Sequence, residues 1–107
     1  MKVVFHVVEY EEWDETLSNV RDVIKADPEA LIEIIVMSRA AILFGRYAGY
    51  DFAGIEGNPR VTVSISEKAL KDHKLDESLL SPSIKVEKLI ITKLIRLQNE
   101  GYAYIRL

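Results

Sequence analysis

Short β-branched runs alternate with helical stripes along the chain, and this alternation constrains the fold more than any other feature. Three runs are apolar over nearly their full length: "VVFHVV" at 3–8, "LIEIIVM" at 31–37 and "VTVSI" at 61–65. Such runs are typical of strands buried on both faces of a sheet. Neighbouring parallel strands need a crossover, which is usually a helix and almost always right-handed. The sequence therefore predicts an α/β protein with a parallel sheet.

The remaining elements complete the alternation. Helices are predicted over about 13–26, 39–47, 67–73 and 89–100, and shorter strands at 84–88 and 102–107. Pro28 ends the first helix, and Gly101 is placed to end the last one in a left-handed conformation. Ser38 and Ser66 are predicted to cap the second and third helices, and 48–59 is predicted to be mostly loop. This pattern indicates a flavodoxin-like three-layer sandwich with a mainly parallel five-stranded sheet.

Length and composition limit the classes of function. A chain of 107 residues is the size of one domain, spanning 1–107. Its 14 basic residues are scattered among 17 acidic ones, so it lacks the basic patch that nucleic acid binding requires. No apolar stretch is long enough to cross a membrane and no signal-peptide pattern is present, which predicts a cytoplasmic protein. The absence of cysteine excludes disulfides and any thiol chemistry carried by this chain.

Ligands of open parallel sheets bind beyond the carboxyl ends of the strands, and this rule selects the candidate site residues. The candidate ligand-binding residues are Ser38 and Arg39 after the second strand, Ser66 and Lys68 after the third, and His6 within the first. Arg39 could hold an anion at the start of the second helix, or it could be an ordinary surface arginine. These five residues form the predicted site.

A catalytic role for Ser66 would need a base, because a free serine hydroxyl is a weak nucleophile at neutral pH. The two histidines, His6 and His73, are not placed by sequence in a recognisable triad, and no Gly-x-Ser-x-Gly element surrounds the serine. A helix cap is the favoured interpretation of Ser66, and a hydrogen-bonded core residue that of His6. Neither a metal-ligand spacing nor a nucleotide-binding glycine motif is present, so we predict no metal and no cofactor.

The last helix has more apolar surface than one sheet face can cover. Its apolar residues lie at 89, 90, 91, 94, 95 and 97, which is more than half of the helical circumference. A second subunit would bury the excess, since wide apolar patches usually mark interfaces. The alternative is that Leu89 or Ile90 packs under the preceding loop. We predict self-association.

The two ends of the chain carry a family resemblance. "LIRLQNEGYAYIRL" at 94–107 runs from a helix with an Arg-x-Gln element through an acidic residue and glycine into an aromatic strand, and "KVVFHVVEYEEW" at 2–13 opens the chain. Both segments resemble the DsrE/DsrF-like family of small sulfur-relay-type domains, whose element order this chain shares throughout. The resemblance implies a flavodoxin-like fold, a cytoplasmic location and homo-oligomers, often trimers or hexamers. For active members it also implies sulfur transfer through a cysteine persulfide.

The chain departs from this family at the reactive residue. The family's cysteine follows the third strand in an element like Ala-Cys-x-Asn-Thr-Leu, and the matching stretch here is "ISEKAL" at 65–70. Ser66 takes the place of the cysteine, Lys68 that of the asparagine and Ala69 that of the threonine. A serine hydroxyl cannot hold a persulfide, because the carrier needs a polarizable thiolate sulfur. The family's Pro-Ser-Gly turn before the last helix is also replaced, by the bulkier residues 88–90.

These observations predict a non-catalytic, cytoplasmic DsrE/DsrF-like homo-oligomer with a small-ligand or partner-binding pocket near Ser38, Arg39 and Ser66. Two alternatives stay open. In the first, Ser66 and a nearby base act as an enzyme on a small anionic substrate. In the second, the chain is a scaffold subunit for a cysteine-bearing DsrE/DsrF-like relative, which would supply the thiol.

Overall fold

The computed structural model describes residues 1–46, 55 and 57–107, and in them five strands form one parallel sheet. The strands are β1 Lys2–Val7, β2 Leu31–Val36, β3 Val61–Ser66, β4 Ile84–Glu87 and β5 Ala103–Arg106. Their order across the sheet is β4-β3-β2-β1-β5, and each neighbouring pair is parallel. The predicted fold class, a flavodoxin-like α/β sandwich, is confirmed.

Within the described ranges, four α-helices connect the strands. They are α1 Trp13–Ala26, α2 Ile42–Arg46, α3 Glu67–Asp72 and α4 Ile90–Asn99, and short 3-10 turns lie at Tyr10–Glu12, Ser38–Ala41 and Glu77–Leu79. The first three connections all step across the sheet in one direction, whereas the connection from β4 to β5 crosses back over the whole sheet. Because such crossovers are right-handed, the first three helices lie on one face and α4 lies on the other.

The face that carries α1, α2 and α3, here called the first face, holds the larger core. Phe5 and Ile34 of the central strands are almost completely buried there. Trp13 of α1 packs edge-on against Phe44 of α2, with ring centroids 5.2 Å apart. This continuous apolar layer joins all three helices to the sheet.

The opposite face, the second face, is covered among the described residues by α4. Its buried apolar cluster consists of Val4, Ile35, Ile90, Leu94 and Leu97. The helix ends at Gly101, which has a φ of +92° as predicted. The N–H groups of residues 101 and 102 bond back to the carbonyls of residues 98 and 97, at 3.1 Å each, which is the Schellman arrangement.

One predicted helix start is wrong. Ser38 does not act as an N-cap; it is the first residue of the 3-10 turn Ser38–Ala41, whose N-cap is Met37, and it has a φ of 52°. The Ala40 N–H bonds to the carbonyls of Val8 and Met37 at 2.9 and 3.2 Å, so backbone bonds to the end of β1 replace a side-chain cap. The predicted loop at 48–59 and the end of that helix at Tyr47 lie mostly outside the described residues.

Candidate functional site

The connections from two neighbouring strands, β3 and β4, leave the sheet toward opposite faces. The chain passes from β3 into α3 on the first face and from β4 toward α4 on the second face. Where connections part in this way, a crevice opens at the carboxyl ends of the strands, and ligands of open α/β sheets bind there. The topology therefore selects the β3/β4 pair before any side chain is considered.

A cavity of about 300 Å³ lies in this crevice. Its walls come from the end of β2, the junction of β3 with α3 and the start of α4: Met37, Ser66, Lys68, Lys88, Leu89, Ile90, Ile91 and Thr92. Two of the predicted ligand-binding residues, Ser66 and Lys68, thus line one cavity. The other three, His6, Ser38 and Arg39, do not belong to its walls. We name this space the β3/β4 cavity.

Ser66 acts as the N-cap of α3, as the sequence predicts. Its backbone is extended, with φ −68° and ψ 124°, and its Oγ accepts a hydrogen bond from the Ala69 N–H at 3.1 Å. The residue is only 6% exposed. A serine in this position satisfies one of the backbone N–H groups that a helix leaves unpaired at its start. The oxygen is therefore engaged in stabilising α3.

Neither histidine reaches the Ser66 hydroxyl. The strand register places His6 beside Ile35 of β2, which lies beside Ser64 of β3, so two strand spacings of about 4.8 Å each separate His6 from β3. His73 is the C-cap of α3, a helix of 6 residues that rises about 1.5 Å per residue from Ser66. A general base must lie within a hydrogen bond of the proton that it removes. No Ser-His pair forms at this site.

His6 instead takes part in a separate pair on the second face. Its Nδ1 lies 2.6 Å from the Tyr104 hydroxyl and its Nε2 lies 3.0 Å from Met37 Sδ. Because a thioether can only accept, Nε2 carries the proton and Nδ1 accepts from Tyr104. Burial, and next the positive charge of Arg106, lower the pKa of His6 below its ordinary value of 6.5. His6 is therefore neutral at pH 7 and meets the cavity only through Met37.

Arg39 lies on the other side of the β2 end, within a cluster of acidic side chains. Its guanidinium is 3.1 Å from Glu9 Oε2 and 4.0 Å from Glu11 Oε1, and it stacks over the Tyr10 ring at 5.2 Å from the centroid. These acids follow β1 in the run that the sequence places before α1. The charge of Arg39 is thus already compensated by its neighbours. Ser38, the residue before it, is exposed.

A buried ion network, the Lys93 cluster, lies between α4 and the sheet. Lys93 Nζ is 2.6 Å from Ser64 Oγ and 3.4 Å from both Glu33 Oε1 and Glu87 Oε1. Lys93 is 7% exposed. Sequence reasoning missed this cluster, although two signals pointed to it. A lysine occupies a position between the buried residues of α4, and Glu33 interrupts the apolar run of β2.

In the described ranges 1–46, 55 and 57–107, no group of three histidine, aspartate or glutamate side chains is arranged to hold a metal ion. No helix in the same ranges has the length and hydropathy of a membrane span.

Fold and cavity together define an α/β protein with a cavity at the carboxyl edge of a five-stranded parallel sheet. The chain is similar to the protein of unknown function MTH1491 from Methanobacterium thermoautotrophicum, with a TM-score of 0.83, 25% identity, and coverage of 99% of this chain and 98% of that one. It is also similar to the ychN protein from E. coli, with a TM-score of 0.75, 12% identity, and coverage of 100% of both chains. The chain thus has a DsrE/ychN-like fold. No family model and no curated protein matches it.

Proposed function

We propose that this chain is a non-catalytic DsrE/DsrF-like domain, a cytoplasmic homo-oligomer that binds a small ligand or a partner at the β3/β4 cavity. The observation that carries the proposal is the position of Ser66. It stands where the family resemblance expects the persulfide cysteine, lines the cavity and caps α3. A hydroxyl cannot carry a persulfide. In this proposal the chain retains a cavity at the family's reactive position but does not carry out sulfur transfer through a persulfide.

In the enzyme alternative, Ser66 needs a nearby base, and neither of the two histidines is placed to be that base. His6 is engaged by Tyr104 and Met37, and His73 lies at the opposite end of α3 from Ser66. A serine hydroxyl without an adjacent base is a poor nucleophile at neutral pH. The non-catalytic function is therefore better supported than hydrolysis or group transfer by Ser66.

Self-association is supported by the outer side of α4. Ile91 and Ile95 lie one helical turn apart and are 50% and 53% exposed, and Leu89 at the start of the helix is 71% exposed. The inner side of α4 already packs on the sheet. Exposed apolar side chains grouped on one helix face are typical of an interface. We name Ile91 and Ile95 the α4 apolar face and propose that a second copy of the chain covers it.

A scaffold role is the second candidate, and the same face favours it. A cysteine-bearing relative with this fold could cover the α4 apolar face and supply the thiol that this chain lacks. Co-expression with such a relative would separate the two candidates. A mixed complex that forms in preference to the homo-oligomer would favour the scaffold.

The Ser66→Ala variant tests the non-catalytic function. We expect a loss of about 1 kcal/mol in the free energy of unfolding, because the cap of α3 is removed. The matched control is Ser18→Ala, at an exposed site within α1, for which we expect a change within about 0.5 kcal/mol. Both proteins and the wild type are also assayed for hydrolysis of ester and phosphoester substrates and for sulfur transfer from polysulfide. A turnover by the wild type that Ser66→Ala abolishes and Ser18→Ala keeps would contradict the proposal.

A further inference from the structure

The charged side chains of the β3/β4 cavity are both cationic. Lys68 and Lys88 line it, and neither forms an ion pair within the described ranges. The two acidic residues nearest to them in sequence are engaged elsewhere. Glu67 pairs with Lys71 at 3.0 Å, and Glu87 belongs to the Lys93 cluster. The cavity therefore carries positive charge that nothing in this part of the chain neutralises.

The start of α4 adds unpaired hydrogen-bond donors to the same wall. Leu89 is its N-cap and cannot cap with its side chain, and the first turn contains no acidic residue. Because Ile90, Ile91 and Thr92 open the helix, their backbone N–H groups have no acceptor in a preceding helical turn, whereas the Lys93 N–H bonds to the Leu89 carbonyl. All three donors belong to residues that line the cavity. Unpaired N–H groups at a helix start attract anions.

Ser66 provides an independent third observation. The residue is only 6% exposed, and it lines the cavity. Its oxygen accepts from Ala69, but the hydroxyl proton has no acceptor in the part of the chain that the structure describes. A buried hydroxyl usually satisfies its donor as well as its acceptor. A ligand oxygen would supply the missing acceptor.

The rest of the cavity wall is apolar. Met37, Leu89, Ile90 and Ile91 contribute side chains without charge. Binding sites for small molecules combine an apolar lining with a few polar groups that fix orientation, and their volumes start at about 300 Å³. The ligand is therefore small, with an apolar body as well as a group that accepts hydrogen bonds.

We propose that the β3/β4 cavity binds a small amphipathic anion, a short apolar molecule that ends in a carboxylate or phosphate. The anionic group lies at the N-terminus of α4, accepts from its free N–H groups and from the Ser66 hydroxyl, and is neutralised by Lys68 and Lys88. The apolar body packs on Met37 and Leu89, which line the cavity. This inference names the ligand class for the cavity of the proposed function and rests on that function.

The test compares three probes of equal chain length: hexanoate, 1-hexanol and hexylamine. Each is titrated into the full-length protein labelled with nitrogen-15, and the backbone amide signals of Ile90, Ile91 and Thr92 are followed by NMR. We expect hexanoate to shift these signals in a saturable way and to bind at least about tenfold more tightly than hexanol. Hexylamine should not bind at this position, because two lysines repel it.

Variants locate the binding site. Lys68→Met and Lys88→Met should each weaken hexanoate binding about three- to fivefold, since each removes one exposed charge and keeps the apolar stem. The matched control is Lys85→Met, an exposed lysine of β4 that does not line the cavity, which should leave the affinity unchanged. Leu89→Asp places a carboxylate at the start of α4 and should abolish hexanoate binding while the protein stays folded.

Three results would overturn the inference. Equal affinities for hexanol and hexanoate would make the cavity an apolar site, which leaves the proposed ligand pocket intact but removes the anion. The absence of saturable shifts with all three probes would also overturn it. So would an equal loss of hexanoate affinity in Lys85→Met and Lys88→Met. The non-catalytic function is judged separately, by the turnover of Ser66→Ala, so the two failures are distinguishable.

Discussion

The two faces of the sheet differ in how they are covered and in what they contain. The first face lies under three helices, and its core is a continuous apolar layer that includes Phe5, Trp13 and Ile34. In the part of the chain that the structure describes, the second face lies under α4 and combines a small apolar cluster with the buried charge of Lys93 and the polar contact of His6. The larger apolar core thus lies on the first face. The groups that we propose to bind a ligand or a second subunit lie on the second face and at its edge.

Two neighbouring residues of β2 allow a direct test of this difference. Ile34 faces the first core and Ile35 the second, and both are fully buried. We expect Ile34→Ala to lower the free energy of unfolding by about 4 kcal/mol and Ile35→Ala by about 2 to 3 kcal/mol. The loss is smaller at Ile35 because one helix can move to fill a cavity more easily than three helices that pack against one another. Chemical denaturation measures both. An equal or larger loss in Ile35→Ala would show that the second face is as tightly packed as the first.

The Lys93 cluster should be the next most sensitive feature. Lys93→Met leaves Glu33 and Glu87 without their cation, and we expect a loss of about 3 kcal/mol in the free energy of unfolding. Adding Glu33→Gln should restore more than half of the loss, since the uncompensated buried carboxylate is then removed. Lys85→Met, on the exposed part of β4, is the control and should change stability by less than about 0.5 kcal/mol. A Lys93→Met protein as stable as Lys85→Met would contradict the importance of the cluster.

The smallest expected effect is a pH dependence that comes from His6. Its pKa is lowered in the folded state, so the unfolded chain binds more protons as the pH falls past 6.5. The contribution of His6 to stability is therefore present above pH 6.5 and is lost as the pH falls through its lowered folded pKa. Unfolding at pH 7.5, 6 and 5 should show a decline in the wild type that is shallower in His6→Gln. Parallel pH profiles of the two proteins would contradict this assignment.

Helix boundaries were predicted where a local sequence signal fixes them and were missed where a tertiary contact does. Apolar runs and a helical stripe with Trp13 and Leu17 fix which residues are buried, so α1 begins and ends where the sequence predicts. Gly101 likewise identifies the end of α4, because only a residue that tolerates positive φ fits there. By contrast, Ser38 was misassigned because backbone bonds to β1, a tertiary contact, replace its cap.

The candidate site was predicted only in part. Ser66 and Lys68 follow β3, and the rule on strand ends places them at the cavity. The contribution of Met37 and of the first turn of α4 depends on how β4 and α4 lie against β3, which local sequence does not encode. The Lys93 cluster was missed for the same reason, since its partners come from three separate strands.

Native mass spectrometry of the wild type and of the Ile91→Asp/Ile95→Asp variant tests the central claim most directly. If the α4 apolar face is an interface, the wild type forms a defined oligomer, a trimer or hexamer, and the variant is a folded monomer. Leu79→Asp, at an equally exposed apolar residue away from α4, is the control and should keep the oligomer. A monomeric wild type at micromolar concentration, or an unchanged oligomer in the α4 variant, would contradict the account.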